Sequence, residues 1–372
     1  MENTHIVIMA GGIGSRLWPL STPQMPKQFI DVLGTGKSLI RMTMERFLPV
    51  CKPEHFWVVT SERYVATVKE HLPEVPDEQI LAEPEPRNTA PCIAYASWKI
   101  QARYPDANIV VTPSDALVLD HELFTDAISK ALRATQDSGA IVTIGITPSR
   151  PETGYGYIHT SDRTPGKVVK VLEFKEKPNL ATAEKYLADG VYLWNAGIFV
   201  WNVRTIITEL RSHAPQIAGI MDALAPSFYT DREAAEVRAH FAECEKISID
   251  YAVMEKSPHI HTVACDPQWS DLGSWGALKE HLLADSDGNS IVATCRKADG
   301  RKDGGLTGPD VTPDGSASAE VRLFDCHGCI VHTDGTRKVV LQGLKDSIVS
   351  LRDGNLLICK LSEEQHIKEY SA

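Results

Sequence analysis

Three glycines, an arginine and a lysine stand close together near the start of the chain. They occur in Ala10-Gly11-Gly12-Ile13-Gly14-Ser15-Arg16-Leu17-Trp18-Pro19-Leu20-Ser21 and then Pro26-Lys27-Gln28. Glycines leave backbone N–H groups open to a phosphate or a base edge, and a following helix N-terminus favours negative charge. Arg16 and Lys27 add cations where a triphosphate would need them. The run is not a dinucleotide fingerprint, because Leu17 stands at the third glycine position after Gly12-Ile13-Gly14, and it lacks Walker A spacing. A glycine turn with solvated cations is the plain alternative. Gly34-Thr35-Gly36-Lys37-Ser38 ends like a P-loop, but the required first glycine falls at Asp31 and no strand leads into it. It reads as a loop before a helix at Leu39–Phe47.

Carboxylates come later. Pro113-Ser114-Asp115 follows the apolar run Ile109–Thr112, so Asp115 would emerge at the carboxyl edge of a parallel sheet, where open α/β folds bind ligands. Ser270-Asp271-Leu272-Gly273-Ser274-Trp275 offers a second carboxylate. Two hard oxygen ligands with room for substrate phosphates are what Mg²⁺ takes from a protein. Taken singly, each Asp is more often a cap or turn residue. Phe174-Lys175-Glu176-Lys177-Pro178 ends an extended segment with a Lys poised to meet an anion, though alternating charge also describes a solvated face. Trp194-Asn195-Ala196-Gly197 supplies an amide able to bond sugar hydroxyls, or simply a turn. Glu83-Pro84-Glu85-Pro86-Arg87-Asn88-Thr89-Ala90-Pro91 places an Arg and a helix cap at a strand end.

The elements that must position these groups alternate. Strands are predicted at Ile6–Met9, Phe56–Thr60, Ile109–Thr112, Ala140–Ile146 and Ala196–Trp201, and helices at Thr89–Ala102, capped by Asn88, and at Asp120–Gln136. Val168–Glu176 reads as extended, Gly154-Tyr155-Gly156-Tyr157 as a tight turn entering a strand, and Asp250–Lys256 as a short helix with Asp250 near its cap. The fold class is therefore α/β, a Rossmann-like mixed, mostly parallel sheet flanked by helices. Residues 284–320 carry many Asp, Gly, Pro, Thr and Ser without helical periodicity and read as a linker. From Val321 onward short β runs recur about every ten residues, at Val321–Phe324, Cys329–His332, Lys338–Leu341, Ser347–Leu351 and Asn355–Lys360. The expected organisation is a catalytic domain at 1–283, a linker at 284–320 and a small β module at 321–372.

Composition narrows the function classes. The 372 residues carry 38 Lys+Arg against 49 Asp+Glu, a net charge of −11, which argues against a general nucleic-acid binder. A polyanionic small substrate remains compatible, served by a few local cations. No stretch approaches the ~20 apolar residues of a membrane span, and no signal segment is evident. Eight scattered cysteines fit reduced thiols in the cytoplasm, and the close pair Cys326 and Cys329 reads as ordinary strand residues.

The order of these motifs resembles the bacterial mannose-1-phosphate guanylyltransferases, within the sugar-nucleotidyltransferase superfamily. The matching runs are those from Ala10, Pro26-Lys27-Gln28-Phe29, Glu83-Pro84 with Arg87-Asn88-Thr89-Ala90-Pro91, Pro113-Ser114-Asp115 and Thr153-Gly154-Tyr155-Gly156-Tyr157-Ile158. They continue with Phe174-Lys175-Glu176-Lys177-Pro178, Trp194-Asn195-Ala196-Gly197, Ile249-Asp250-Tyr251-Ala252-Val253-Met254-Glu255-Lys256 and Trp269-Ser270-Asp271-Leu272-Gly273-Ser274-Trp275. The strands after Val321 are similar to the β-helix-like C-terminal module of those enzymes.

The resemblance implies transfer of GMP from GTP to α-D-mannose 1-phosphate, with Mg²⁺ as cofactor, no nucleic-acid or membrane partner, and a possible homodimer. Carried over residue by residue, the nucleotide set is Ala10, Gly11, Gly12, Gly14, Ser15, Arg16, Lys27, Arg87, Asn88, Thr89 and Ser114. The metal set is Asp115 and Asp271; Gly156, Glu176, Lys177 and Asn195 would hold the sugar phosphate; and Arg16, Lys27, Asp115, Lys177 and Asp271 would be catalytic. Two positions depart from the family. Ala116 stands where a His often follows Pro-Ser-Asp, and Lys175 stands where Val is common. Some relatives carry a fused cupin-type isomerase domain, and isomerase activity is not expected of this chain. A nucleotidyltransferase for another base or hexose, and a catalytically silent sugar-nucleotide-binding subunit, are the competing readings. The leaving-group cations argue against silence, since a binder has no need of them.

Overall fold

Ile6, Val7 and Ile8 have no exposed surface, as a strand covered on both faces requires. They lie in β1 (Thr4–Ala10) of a computed structural model that describes residues 3–136, 138–293, 320–334 and 338–371. The chain folds as two compact units. One comprises Met1–Gly11, Met44–Ser114 and Val118–Trp269; the other comprises Gly12–Thr43, Asp115–Leu117 and Ser270–Ala372. The glycine-rich loop and the Asp271 segment, expected within 1–283, thus group with the C-terminal strands.

The first unit is built on one sheet. Its strands are β1, β2 (Phe56–Ser61), β3 (Ile80–Glu83), β4 (Asn108–Pro113), β5 (Ile141–Ile146), β6 (Tyr157–Thr160), β7 (Val168–Lys175), β8 (Tyr192–Asn202) and β9 (Ile260–Ala264), in the order β3-β2-β1-β4-β8-β5-β9-β7-β6. Parallel pairing is concentrated in β3-β2-β1-β4 and between β5 and β9. The eleven-residue β8 runs antiparallel between β4 and β5. Strand order reverses at β1 beside β4, so Ala10 and Ser114 leave the sheet at a topological switch point, the usual place for a ligand.

Helices form where caps and periodicity coincide. Among them α3 (Thr89–Arg103) is buried from Ala90 to Ile100, and Asn88 Oδ1 accepts from Thr89 N at 2.9 Å. In α4 (His121–Thr135) Asp120 Oδ1 accepts from Leu123 N at 2.9 Å. The predicted helix at Leu39–Phe47 is present. Asp250 lies beside the cap as expected: Asp250–Met254 is one π-type turn whose cap is Ile249, and it ends at Met254 rather than Lys256.

The second unit contains β10 (Ser290–Ala293), β11 (Glu320–Phe324), β12 (Ile330–Thr333), β13 (Lys338–Gln342), β14 (Ser347–Arg352) and β15 (Asn355–Lys360). Strands β10, β12 and β14 pair in parallel, as do β11 and β13, while β15 closes the larger sheet antiparallel. The predicted linker at 284–320 therefore includes the strand β10 and the first residue of β11, and its stretch 294–319 lies outside the described residues. The core of this unit joins Leu17, Leu20, Ile30 and Val32 of the N-terminal loop to Leu272, Trp275, Ile330, Ile348, Leu357 and Ile367. Burial of these side chains, distant in sequence, is what places the loop with the C-terminal strands.

Candidate active site

A charged cluster in the second unit surrounds Lys27. Gly12 to Arg16 are exposed, Gly14 is left-handed (φ 73°), and Leu17 behind them is fully buried. Apolar anchoring of Leu17 and Leu20 holds the loop while its backbone and the Arg16 guanidinium stay open to solvent. Gln28 Nε2 donates to Gly12 O at 3.0 Å, and Lys27 N donates to Ile13 O at 3.3 Å. Lys27, only 3 % exposed, directs its ammonium to Asp115 Oδ2 at 3.0 Å, Asp271 O at 2.6 Å and Leu272 O at 3.2 Å. Gly273 N donates to Asp271 Oδ1 at 2.9 Å. A Cβ at Gly273 would collide with the Asp271 carboxylate and lie 3.1 Å from Arg16 Nη2. Lys27, Asp115, Asp271 and Arg16 thus converge. Asp115 meets the ammonium through its carboxylate and Asp271 through its main-chain oxygen, and these two side chains are the hard-oxygen groups of the cluster that would hold Mg²⁺ with phosphate oxygens completing its shell. In the P-loop look-alike, Asp31 already accepts from Thr35 N (2.9 Å) and Gly36 N (2.6 Å), so those amides are satisfied internally.

The first unit holds a second cluster. Asn195, 9 % exposed in β8, donates from Nδ2 to Asp250 Oδ1 at 3.2 Å, and its Oδ1 accepts from Thr143 Oγ1 (3.0 Å) and Gly197 N (3.1 Å). Asn195 N donates to Gly156 O at 2.8 Å, and the space beside the Gly156 Cα is occupied by Glu176 Oε2, 2.5 Å from where a Cβ would stand. Glu176 and Lys177 form an ion pair, with the Lys177 side chain 57 % exposed. Burial and the Glu176 carboxylate push Asp250 up to about 7, opposed by the Lys177 ammonium. An amide, two carboxyls and an ammonium are groups that could bond the hydroxyls and the charge of a polyol bearing an anion.

At the carboxyl end of β3, Glu83 is 7 % exposed, and burial pushes its carboxyl up to about 8. Its Oε1 has no hydrogen-bond partner among the described residues, and its Oε2 lies 3.9 Å from a Cβ built on Gly11. Thr60 Oγ1 donates to Ala10 O at 2.9 Å. Arg87 pairs with Glu85 at 2.8 Å, and Thr89 Oγ1 accepts from Ile249 N at 2.9 Å, tying α3 to the Asp250 turn. Ser114 is 3 % exposed, and its N–H donates to Met9 O at 3.2 Å. Ser15 begins the one-turn helix that carries Arg16. Glu83 and Asp250 lie in runs that match the family, but the burial that perturbs their carboxyls has no signal in the sequence.

A family model for nucleotidyl transferases matches residues 5–287. The chain belongs to the nucleotidyl transferase family. It is 38% identical over 288 residues to a putative mannose-1-phosphate guanylyltransferase of Vibrio cholerae serotype O1, covering 76% of this chain and 61% of that protein. It is 34% identical over 372 residues to a mannose-1-phosphate guanylyltransferase of Salmonella montevideo, covering 98% of this chain and 72% of the relative. The chain thus spans about three fifths to three quarters of the length of these relatives. The crystal structure of a mannose-1-phosphate geranyltransferase from Thermus thermophilus superposes with a TM-score of 0.82 at 28% identity, covering 99% of this chain and 98% of that one. No helix among the described residues is long and apolar enough to cross a membrane.

Of the departures from the family, Lys175 lies 3.5 Å from Glu173 as an exposed ion pair, and Ala116 is buried at 4 % exposure.

Proposed function

We propose that this nucleotidyltransferase catalyses GTP + α-D-mannose 1-phosphate → GDP-mannose + pyrophosphate. A phosphate oxygen of the sugar phosphate attacks the α-phosphorus of GTP, and the bond to the bridging oxygen of the departing pyrophosphate breaks. Such transfer rests on positioning and charge neutralisation rather than on proton transfer. The observation that carries the reading is the seat of Lys27, with its ammonium 3.0 Å from Asp115 and 2.6 Å from Asp271 O. A buried ammonium between two acidic loops supports a polyphosphate and metal site better than a solvated surface cation would. Arg16 and Lys27 hold the triphosphate and stabilise the leaving pyrophosphate. Asp115 and Asp271 would hold Mg²⁺, which supplies Lewis-acid neutralisation of the phosphate oxygens. Ala10, Gly11, Gly12, Gly14, Ser15 and Ser114 offer backbone approach to the nucleotide, with Arg87, Asn88 and Thr89 near the nucleoside. Lys177 clamps the sugar phosphate, while Gly156, Glu176 and Asn195 bind mannose hydroxyls. The reading includes cytoplasmic residence, supported by the seven described cysteines all being free thiols, and a homodimer carried over from the resemblance alone.

The test is pyrophosphate release with Mg²⁺ and mannose 1-phosphate, running GTP, ATP, UTP and dTTP in parallel. Release with GTP alone is expected. Release with another nucleotide moves the base specificity, and silence with every nucleotide and sugar phosphate makes the binding-subunit reading the better one.

A further inference from the structure

The C-terminal tail continues past β15 as a 3-10 segment, Leu361–His366, and a last helical turn, Ile367–Tyr370. Its root is fixed by Leu361 N donating to Asp346 O at 2.8 Å. Two contacts then carry it to the charged cluster of its own unit. Ile367, fully buried, packs in the core that holds Leu17 and Leu20, and its helical turn lies against Ser15–Leu17, the turn bearing Arg16. Glu364 Oε2 accepts from Gly276 N at 2.6 Å, one turn beyond the Asp271 loop, in a short helix at Trp275–Lys279. Ser274 Oγ accepts from Ala277 N at 3.3 Å in the same first turn, so Ser274 and Glu364 satisfy successive free amides. The tail therefore touches both segments that present phosphate-handling groups.

We propose that Glu364 and Ile367 are positioning residues for nucleotide binding. The tail clamps the Arg16 turn and the Asp271 loop into one geometry, so a segment nearly 350 residues from Arg16 in sequence sets the affinity for the triphosphate. The inference rests on the function proposed above. An exposed glycine-rich loop has little internal packing to hold it, and loosening the apolar floor under Leu17 lets Arg16 sample positions away from the phosphates. Polyphosphate binding through several charged groups is sensitive to such displacements, because each contact needs its own geometry.

The full-length variants Ile367→Ala, Ile367→Val, Glu364→Ala and Glu364→Gln test this. The Ala variants are expected to raise the KM for the nucleotide by about tenfold while leaving the KM for the sugar phosphate within about twofold. Ile367→Val, which keeps most of the apolar volume, and Glu364→Gln, which keeps an oxygen acceptor for Gly276 N–H, are expected to restore most of the loss. Hydrogen exchange read by mass spectrometry is expected to quicken at residues 12–29 and 270–278 in the Ala variants, with strands at 56–61 and 108–113 unchanged. Equal rises in both KM values, Gln no better than Ala, or unchanged exchange at 12–29 would each overturn the proposal. A wild-type chain silent with every nucleotide refutes the function reading instead, and the exchange pattern still decides whether the tail holds the loop.

Discussion

The Lys27 ammonium and the Asp115 carboxylate lie 3.0 Å apart, although 88 residues separate them, and Lys27 is almost wholly buried. A buried ammonium needs compensation, and here it comes from one carboxylate and two backbone carbonyls. That arrangement fixes Lys27 before any substrate arrives, so little reorganisation is needed when a polyphosphate binds.

Removing either acidic partner separates structure from chemistry. Asp271→Asn keeps its side-chain shape and its oxygen acceptor for Gly273 N–H, so the thermal midpoint should stay close to wild type while Mg²⁺-dependent turnover falls by about 10²–10³-fold. Asp115→Asn should lose turnover similarly and also about 1–3 kcal/mol of stability, since the buried Lys27 ammonium loses its carboxylate while keeping its two backbone carbonyls. Steady-state rates across a Mg²⁺ titration, with chelator as the zero point, check both. Wild-type rates in Asp271→Asn would remove it from the metal set.

Lys177→Ala should raise the KM for mannose 1-phosphate by about tenfold or more, with the KM for GTP nearly unchanged. The side chain is 57 % exposed and its ion-pair partner Glu176 is close by, so the fold should tolerate the change. A normal KM for the sugar phosphate would end this assignment.

Asp250, pushed up to about 7, is largely neutral below that pH and a carboxylate above it. Ionisation adds negative charge beside Glu176, close to where a sugar phosphate dianion is proposed to bind. The KM for the sugar phosphate should therefore rise as pH climbs through about 7, measured against the Asp250→Asn variant to cancel the substrate's own titration. Parallel profiles for the two proteins would show that Asp250 does not face the substrate.

Glu83 links pH to stability. Its folded carboxyl titrates at about 8 against 4.5 for an ordinary glutamate, so between those values the unfolded chain has released a proton that the folded chain retains. Stability should thus be full below pH 4.5 and decline as pH rises toward 8, with this residue contributing a slope of at most about 1.4 kcal/mol per pH unit. Glu83→Gln should flatten that slope in denaturant titrations at several pH values inside that window. An unchanged slope would mean that the carboxyl is ionised within the fold.

Much of the first unit is legible in the sequence. Alternating apolar runs are a local signal, and β1, β2, β4 and β5 lie where the runs lie, because a strand covered on both faces must be apolar along its length. Asn88 announces its helix, since a cap acts on amides one to three residues away, and the amphipathic run from Asp120 marks the next, with Asp120 itself serving as the cap rather than the first helical residue. The strands after Val321 were equally plain from their turn spacing. The residues bearing charge and glycine could be named because their types, order and spacing are properties of the chain itself.

What only the tertiary structure decided is which of these groups share an environment. Nothing local tells Leu17 that it will be buried with Ile367, or Lys27 that Asp115 will be its counter-ion. Both depend on long-range burial, which is non-directional and leaves no periodic trace at the residues it joins. The perturbed carboxyls of Glu83 and Asp250 have the same origin, since desolvation is a property of the packed surroundings and not of the side chain. The candidate residues are therefore properties of the sequence, while the grouping of the glycine-rich loop with the C-terminal strands comes from packing alone.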